Sequence, residues 1–285
     1  MTDAVRPVQQ QEPPGLTGPM RPRPDHGEES YVGSGRLEGR RAYITGGDSG
    51  IGRAVAIAFA REGADVAISY LPVEQEDAEE TARWIGEAGR TAVLVPTDLR
   101  DEDSARESVR AAVAGLGGLD VLVNNAGYQM ARRDSFADVT TDDLDSVMKT
   151  NLYALIWVTQ EALEHLGDDA AIVNCSSIQA YQPSEPLVDY ASTKAAINNI
   201  TVNLASELGP RGVRVNAVAP GPIWTPLQPA TQPPEKVATF GEDAPLGRAG
   251  QPAEVAHAFV FLASPVTGSY VSGTVLGVTG GKPVF

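Results

Sequence analysis

Tyr190 and Lys194 stand four residues apart in the stretch V-D-Y-A-S-T-K-A-A, and Ser177 lies thirteen residues before the tyrosine. Ala191, Ala195, Ala196 and Ile197 mark the segment from about Val188 as helical, and on a helix residues four apart share one face. A phenol ionises near ~10, too high to exchange protons freely at neutral pH. An ammonium one turn away favours the phenolate and draws that value down. The pair is an acid/base device. It does chemistry only if other segments deliver a group to be protonated.

Other chemistries find less support. His26, His165 and His257 lie far apart, with no H-x-x-x-H or C-x-x-C spacing, so no metal site is signalled. Glu79-Glu80 and Asp142-Asp143 read as solvated helix faces and first turns rather than paired catalytic carboxylates. Cys175 is the single cysteine, which rules out an intrachain disulfide and suits a reducing cytoplasm.

The elements that would position the pair alternate along the chain. Arg41–Thr45 reads as a strand, followed at once by Gly46-Gly47-Asp48-Ser49-Gly50-Ile51-Gly52, a helix from about Ile51 to Glu62 and a strand from Ala64 to Tyr70. Glycines at 46, 50 and 52 allow a sharp turn and close approach to a pyrophosphate. The helix N-terminus adds free N–H groups and a positive dipole end. The spacing is G-x-x-x-G-x-G rather than the common G-x-G-x-x-G. Helices are expected over Val73–Ala88, Glu102–Leu116, Thr140 to about Leu166, to about Leu208 and from Pro252 to Ala263. Strands are expected at Thr91–Val95, Leu119–Val123, Ala170–Cys175, Val213–Val218 and Thr274–Val278. This alternation predicts an α/β chain, a single-domain doubly wound Rossmann fold whose seven-stranded parallel sheet is flanked by helices. Ligands then bind beyond the carboxyl ends of the strands, where Gly46, Asp98, Asn125, Ser177 and Pro220 all fall.

Taken together, these motifs resemble the short-chain dehydrogenase/reductase family. The matches run in order from the glycine loop through Asn124-Asn125-Ala126-Gly127, Asn151, Ser177, Tyr190 and Lys194 to Pro220-Gly221, covering roughly Leu37 to the C-terminus. The wording T-G-G-D-S-G-I-G-R-A, S-S-I-Q-A-Y-Q-P-S and A-P-G-P-I-W-T is similar to a bacterial subgroup described as general-stress oxidoreductases and NADP-dependent aldehyde reductases. The resemblance implies that Tyr190 is the proton donor in reduction and the base in oxidation. It implies further that Ser177, rather than Ser176, holds the substrate oxygen, that Lys194 bonds the nicotinamide ribose and depresses the tyrosine pKa, and that Asn151 holds a water on a proton path. The implied cofactor-binding set is Gly46, Asp48, Ser49, Gly50, Ile51, Gly52, Tyr70, Leu71, Asp98, Leu99, Asn125, Ala126, Gly127, Tyr190, Lys194, Pro220, Gly221 and Ile223. A homotetramer, assembled through the helices carrying Asn151 and Tyr190 and the C-terminal strand, is also implied.

The form of the dinucleotide is argued from the end of the second strand. Ser69-Tyr70-Leu71-Pro72 carries no acid before Glu74, which leaves room for a 2′-phosphate and favours NADP(H); Asp48 opposes it, so NAD(H) stays a candidate. Arg53 is the candidate phosphate partner. The 285-residue chain carries a net charge of −15, which argues against nucleic acid or an anionic membrane as partner. Residues 1–36 form a proline-rich arm, either disordered or packed on its own domain or a neighbouring subunit. The catalytic domain is expected over 37–285. Pro226, Pro229, Pro233, Pro234 and Pro245 mark a substrate lid at about 222–250, with Tyr181, Trp224 and Phe240 as pocket candidates or ordinary core. The leading expectation is reversible reduction of small aldehydes or ketones. A sugar or polyol dehydrogenase and a non-catalytic dinucleotide sensor are the alternatives.

Overall fold

The computed structural model describes residues 6–285; the first five residues of the proline-rich arm lie outside them. Seven parallel strands form one sheet: β1 (Arg41–Thr45), β2 (Asp65–Tyr70), β3 (Ala92–Pro96), β4 (Leu119–Asn124), β5 (Leu166–Cys175), β6 (Arg214–Pro220) and β7 (Val275–Val278). Their order is β3-β2-β1-β4-β5-β6-β7. The order reverses between β1 and β4, so the carboxyl ends of those two strands diverge into a crevice, the place where such sheets bind ligands.

The strands are apolar on both sides because helices cover both faces. Ala42, Tyr43 and Ile44 of β1 and the inner residues of β6 are fully buried. On one face lie α1 (Gly50–Arg61), α2 (Gln75–Glu87) and α9 (Pro252–Ala263); on the other lie α3 (Glu102–Leu116), α4 (Thr141–Met148), α5 (Ala154–Ala162) and α6 (Val188–Leu208). α1 is buried almost all round, from Ala54 to Ala60, because it is wedged between the sheet and α9. Local chemistry sets the ends. Asp101 accepts from the Ser104 amide to start α3, and Gly117 closes it in the left-handed region at φ 74°.

Two boundaries differ from the sequence expectation. The helix expected from Thr140 to about Leu166 is three pieces: α4 passes into a π-helical turn over Lys149–Tyr153, and α5 then ends at Ala162. β5 begins at Leu166 instead of Ala170, and Asp169 takes φ 63° within it. The one-residue phase shift at the wider turn falls within a stretch too short for apolar spacing to reveal it in the sequence.

The arm packs against its own domain. Met20 is fully buried with Trp224, Val237 and Ala249, and the Trp224 indole N–H donates to the Pro22 carbonyl at 2.8 Å. Tyr31, Ser34 and Arg36 all bond the fully buried Glu62 carboxylate, which holds it well below the usual range, at about 2, against the opposing effect of burial. The proline-rich stretch after β6 is ordered too, with two short helices, α7 (Leu227–Thr231) and α8 (Pro234–Ala238). Trp224 is therefore core, not pocket wall.

Candidate active site

The glycine loop between β1 and α1 is a cradle fixed by polar side chains from the next strand. Asn125 Nδ2 donates to the carbonyls of Thr45 and Gly46 at 3.0 and 2.9 Å. The Thr45 hydroxyl accepts from the amides of Asn125 and Ala126 at 2.9 and 3.0 Å. Gly46 takes φ +63°, and a Cβ there would lie 3.1 Å from Ala126 Cα. A Cβ on Gly52 would lie 1.9 Å from the Gly46 carbonyl oxygen, so only glycine lets α1 start this close to the turn. Ser49, the residue before α1, makes no side-chain cap, which leaves the helix's first amides facing the crevice. Gly52→Ala is expected to lower the melting temperature by about 5 °C, from a cost of roughly 2 kcal/mol, and to weaken dinucleotide binding measured by fluorescence titration.

Beyond the loop, Lys194 and Tyr190 line the same cleft of about 430 Å³. The Lys194 Nζ donates to the Cys175 carbonyl at 2.7 Å and sits 5.3 Å from the centre of the Tyr190 ring. Gly127 keeps this corner open, since a Cβ there would stand 3.6 Å from Lys194 Nζ and 3.7 Å from Asn151 Oδ1. Asn151, buried in the π turn, grips the backbone of Tyr128 on both sides: its Oδ1 accepts from the amide at 2.7 Å and its Nδ2 donates to the carbonyl at 2.9 Å. Its Nδ2 also bonds the Thr193 hydroxyl at 3.1 Å, tying the turn to α6.

Burial pushes the Tyr190 phenol well above its ordinary value, while the hydroxyl of Ser177 bonded to it pulls the other way. Burial also lowers the Lys194 ammonium. The lysine-driven fall in the phenol pKa expected from sequence is therefore outweighed here. Both groups are desolvated by the same wall, and the ammonium is directed at a carbonyl rather than at the phenolic oxygen.

Of the sequence-derived set, the structure lines the cleft with Gly46, Asp48, Ser49, Gly50, Ile51, Tyr70, Leu71, Asp98, Leu99, Asn125, Ala126, Gly127, Tyr190 and Lys194. Gly52, Pro220, Gly221, Ile223, Ser177 and Asn151 do not form its walls. Gly52 and Asn151 stand behind it as described. A Cβ on Gly221 would meet the Thr279 backbone at 2.6 Å, so this turn packs against the C-terminal tail.

The 46–282 stretch matches the family model described as enoyl-(acyl carrier protein) reductase. The uncharacterized oxidoreductase YghA of Escherichia coli is 54% identical over 277 residues, 97% of this chain and 94% of its own length. The chain belongs to the short-chain dehydrogenase/reductase family. A short-chain dehydrogenase from Burkholderia cenocepacia, solved in complex with NADP, superposes with a TM-score of 0.79 at 38% identity, over 87% of this chain and 99% of that one. NADPH-dependent aldehyde reductase 1 of Arabidopsis thaliana, a chloroplastic protein, is 41% identical over 95% of this chain and 96% of its own. As a short-chain dehydrogenase/reductase, the protein is an NAD(P)-dependent oxidoreductase.

Within this family frame, the glycine cradle and uncapped helix start fit a dinucleotide pyrophosphate. Two acids already weighed in the sequence stand at the β2 end of the cleft. Glu74 lines the cleft, and its Oε2 accepts from the Leu71 amide at 2.9 Å. Asp48 is buried there with its Oδ2 unpartnered. Burial raises both carboxyls, Asp48 to about 6 and Glu74, with the charge of Asp48 beside it, to about 8. Arg53 is not available to a phosphate. It is fully buried and bonds the Asp48 carbonyl at 2.7 Å, Asp77 at 2.9 Å and Glu80 at 3.0 Å. Asp48 and Glu74 thus both line the cleft near the end of β2, and solved relatives have been determined with NADP, NADPH or NADH. Among the described residues no His, Cys, Asp or Glu cluster is arranged to hold a metal ion, and no helix is long and apolar enough to cross a membrane.

Proposed function

We propose that the protein is a reductase of small aldehydes or ketones, working reversibly, with Tyr190 as the acid/base and NAD(H) as the better-fitting dinucleotide. One observation carries the reading: a glycine cradle suited to pyrophosphate and a buried Tyr190–Lys194 pair open into one cleft. The aldehyde substrate class draws support from the Arabidopsis relative, and NAD(H) from the two acids and the committed Arg53.

A bound nicotinamide would supply or accept the hydride. The chain's part is the oxygen. A carbonyl being reduced gains negative charge there, and a donor placed on it lowers the barrier. Tyr190, kept protonated by burial, gives its proton to that oxygen. Ser177 is the second donor: its hydroxyl accepts from the Gln179 amide at 3.1 Å, which leaves its own proton for the substrate oxygen. Lys194, one helical turn away, stabilises the phenolate left behind. Asn151 holds the backbone at Tyr128 and, through Thr193, the helix that bears the pair.

Because the phenol is held protonated, the two directions should respond differently to pH. Alcohol oxidation needs the phenolate, so its kcat/KM is expected to climb by about tenfold per unit from pH 7 to 9, while aldehyde reduction stays flat there. A panel of short aldehydes, ketones, free sugars and polyols, read by nicotinamide absorbance with NADH and NADPH side by side, tests substrate and cofactor together. Turnover of sugars alone would overturn the aldehyde reading.

A homotetramer and a cytoplasmic setting belong to the same proposal. Leu144 on α4, Tyr153 in the π turn and Val202 on α6 are 42, 42 and 55% exposed. Among the described residues, no strand neighbours the outer edge of β7. A solution mass of one 30.0 kDa chain would refute the tetramer.

A further inference from the structure

We propose that Gln11–Thr17 is a clasp across the dinucleotide cleft, walled on this side by Pro13 and Pro14, and that it must lift for the cofactor to leave; the inference rests on reading that cleft as the NAD(P)(H) site. Pro13 and Pro14 line it together with Ser49, Gly50 and Tyr70. Neither proline belongs to the sheet or its helices.

The segment is fastened at both rims. On the lid side, the Gln11 amide donates to the Pro229 carbonyl at 2.9 Å, and Arg132 Nη2 donates to the Gln11 carbonyl at 2.9 Å. On the α2 side, the Thr17 amide donates to Asp77 Oδ2 at 2.8 Å, in a site where Thr17 is fully buried. Between the two, the Gln11 side chain bonds both backbone groups of Leu16, at 2.8 and 3.0 Å, and so holds the intervening residues as a closed loop. Gly15 makes the crossing close: it takes φ +85°, and a Cβ there would lie 2.6 Å from the Pro226 carbonyl oxygen and 2.9 Å from Ala230 Cβ. Pro226 in turn sits over the glycine loop, because a Cβ on Gly50 would meet its Cδ at 3.9 Å.

A strand of chain that touches both rims and forms part of the wall encloses whatever the cleft holds. Its attachments to the rims are one backbone–backbone hydrogen bond, two hydrogen bonds to side chains, the burial of Thr17 and the close packing of Gly15. Such a segment opens locally at a small fraction of the cost of global unfolding. Release of bound dinucleotide is then gated by the lifting of this loop, a step that sets turnover in many enzymes.

The test uses the full-length protein and two variants, Gly15→Val, which forces a side chain into Pro226 and Ala230, and the double substitution Pro13→Gly with Pro14→Gly, which removes the wall without adding bulk. Dissociation of NADH, and separately of NADPH, is followed by stopped-flow displacement, with melting curves as a check on folding. The expected result is a dissociation rate raised about tenfold in each variant, with association changed by less than about threefold. Hydrogen exchange at the Gln11 and Thr17 amides of the unmodified protein is expected to slow when NADH is added. Unchanged dissociation in variants that melt like the parent overturns the clasp. An unmodified protein that binds neither dinucleotide overturns the reading of the cleft instead.

Discussion

Tyr190→Phe is expected to lower kcat for aldehyde reduction by about 10³-fold while leaving dinucleotide affinity within about twofold. The substitution removes one oxygen from a ring that is otherwise held by α6 and by the Lys194 contact at 5.3 Å, so the cleft keeps its shape. What is lost is the phenolic proton at the wall of the cleft. Lys194 does not replace it, because its Nζ is committed to the Cys175 carbonyl at 2.7 Å. Steady-state kinetics with saturating NADH, beside a fluorescence titration of the same preparation, gives both numbers. A variant that keeps more than about a tenth of its turnover would remove Tyr190 from the acid/base role. A protein that only senses dinucleotide would show neither the parent turnover nor its loss.

The second large effect concerns the adenosine end. Two carboxyls, Asp48 and Glu74, line the cleft there, and behind them Asp77 and Glu80 are paired with Arg53, Arg23 and Arg83. At pH 8.5, above the raised values of both cleft carboxyls, a 2′-phosphate entering this region meets two ionised acids. Asp48→Asn combined with Glu74→Gln is expected to tighten NADPH about 10- to 100-fold at pH 8.5, with NADH changed by less than about threefold. Equal tightening of both dinucleotides would show that the acids act by shape and not by charge.

The same substitution has a stability signature whose sign is fixed. Glu74 rises from an ordinary 4.5 to about 8 on folding, so between those values the folded chain binds a proton that the unfolded chain has released. Stability then falls as pH rises through that window. Glu74→Gln removes the penalty. Its melting temperature is expected to match the parent near pH 4.5 and to exceed it by a few degrees, about 4 °C, above pH 8. A constant difference across pH would mean that Glu74 titrates normally.

Much of this was legible in the chain. Alternating apolar runs and glycine punctuation predicted seven parallel strands, because a buried β-strand and an amphipathic helix leave different periods. The spacing singled out Tyr190 and Lys194, and the order of motifs singled out Asn125 and Gly127, all four of which line one cleft. What stayed hidden came from side chains that meet only in three dimensions. Arg53 read as a free cation within a helix, but three acceptors from the loop and α2 surround it. Trp224 read equally as pocket aromatic or core, and Met20, some two hundred residues earlier, decides for core by covering it. Pro13 and Pro14 gave no signal at all, since composition distinguishes a disordered arm from a packed one only through its partners.

The widened turn at Lys149–Tyr153 has a consequence for how the site tolerates change. One extra residue per turn is a phase advance: it rotates everything after it by about 100° relative to an uninterrupted helix. That offset lets Asn151 face Tyr128 while Val158 and Ala162, further along, still face the sheet. A one-residue deletion here would regularise the helix and at the same moment swing either the amide or the apolar stripe away from its partner. The segment can accept substitutions of type, but not of length.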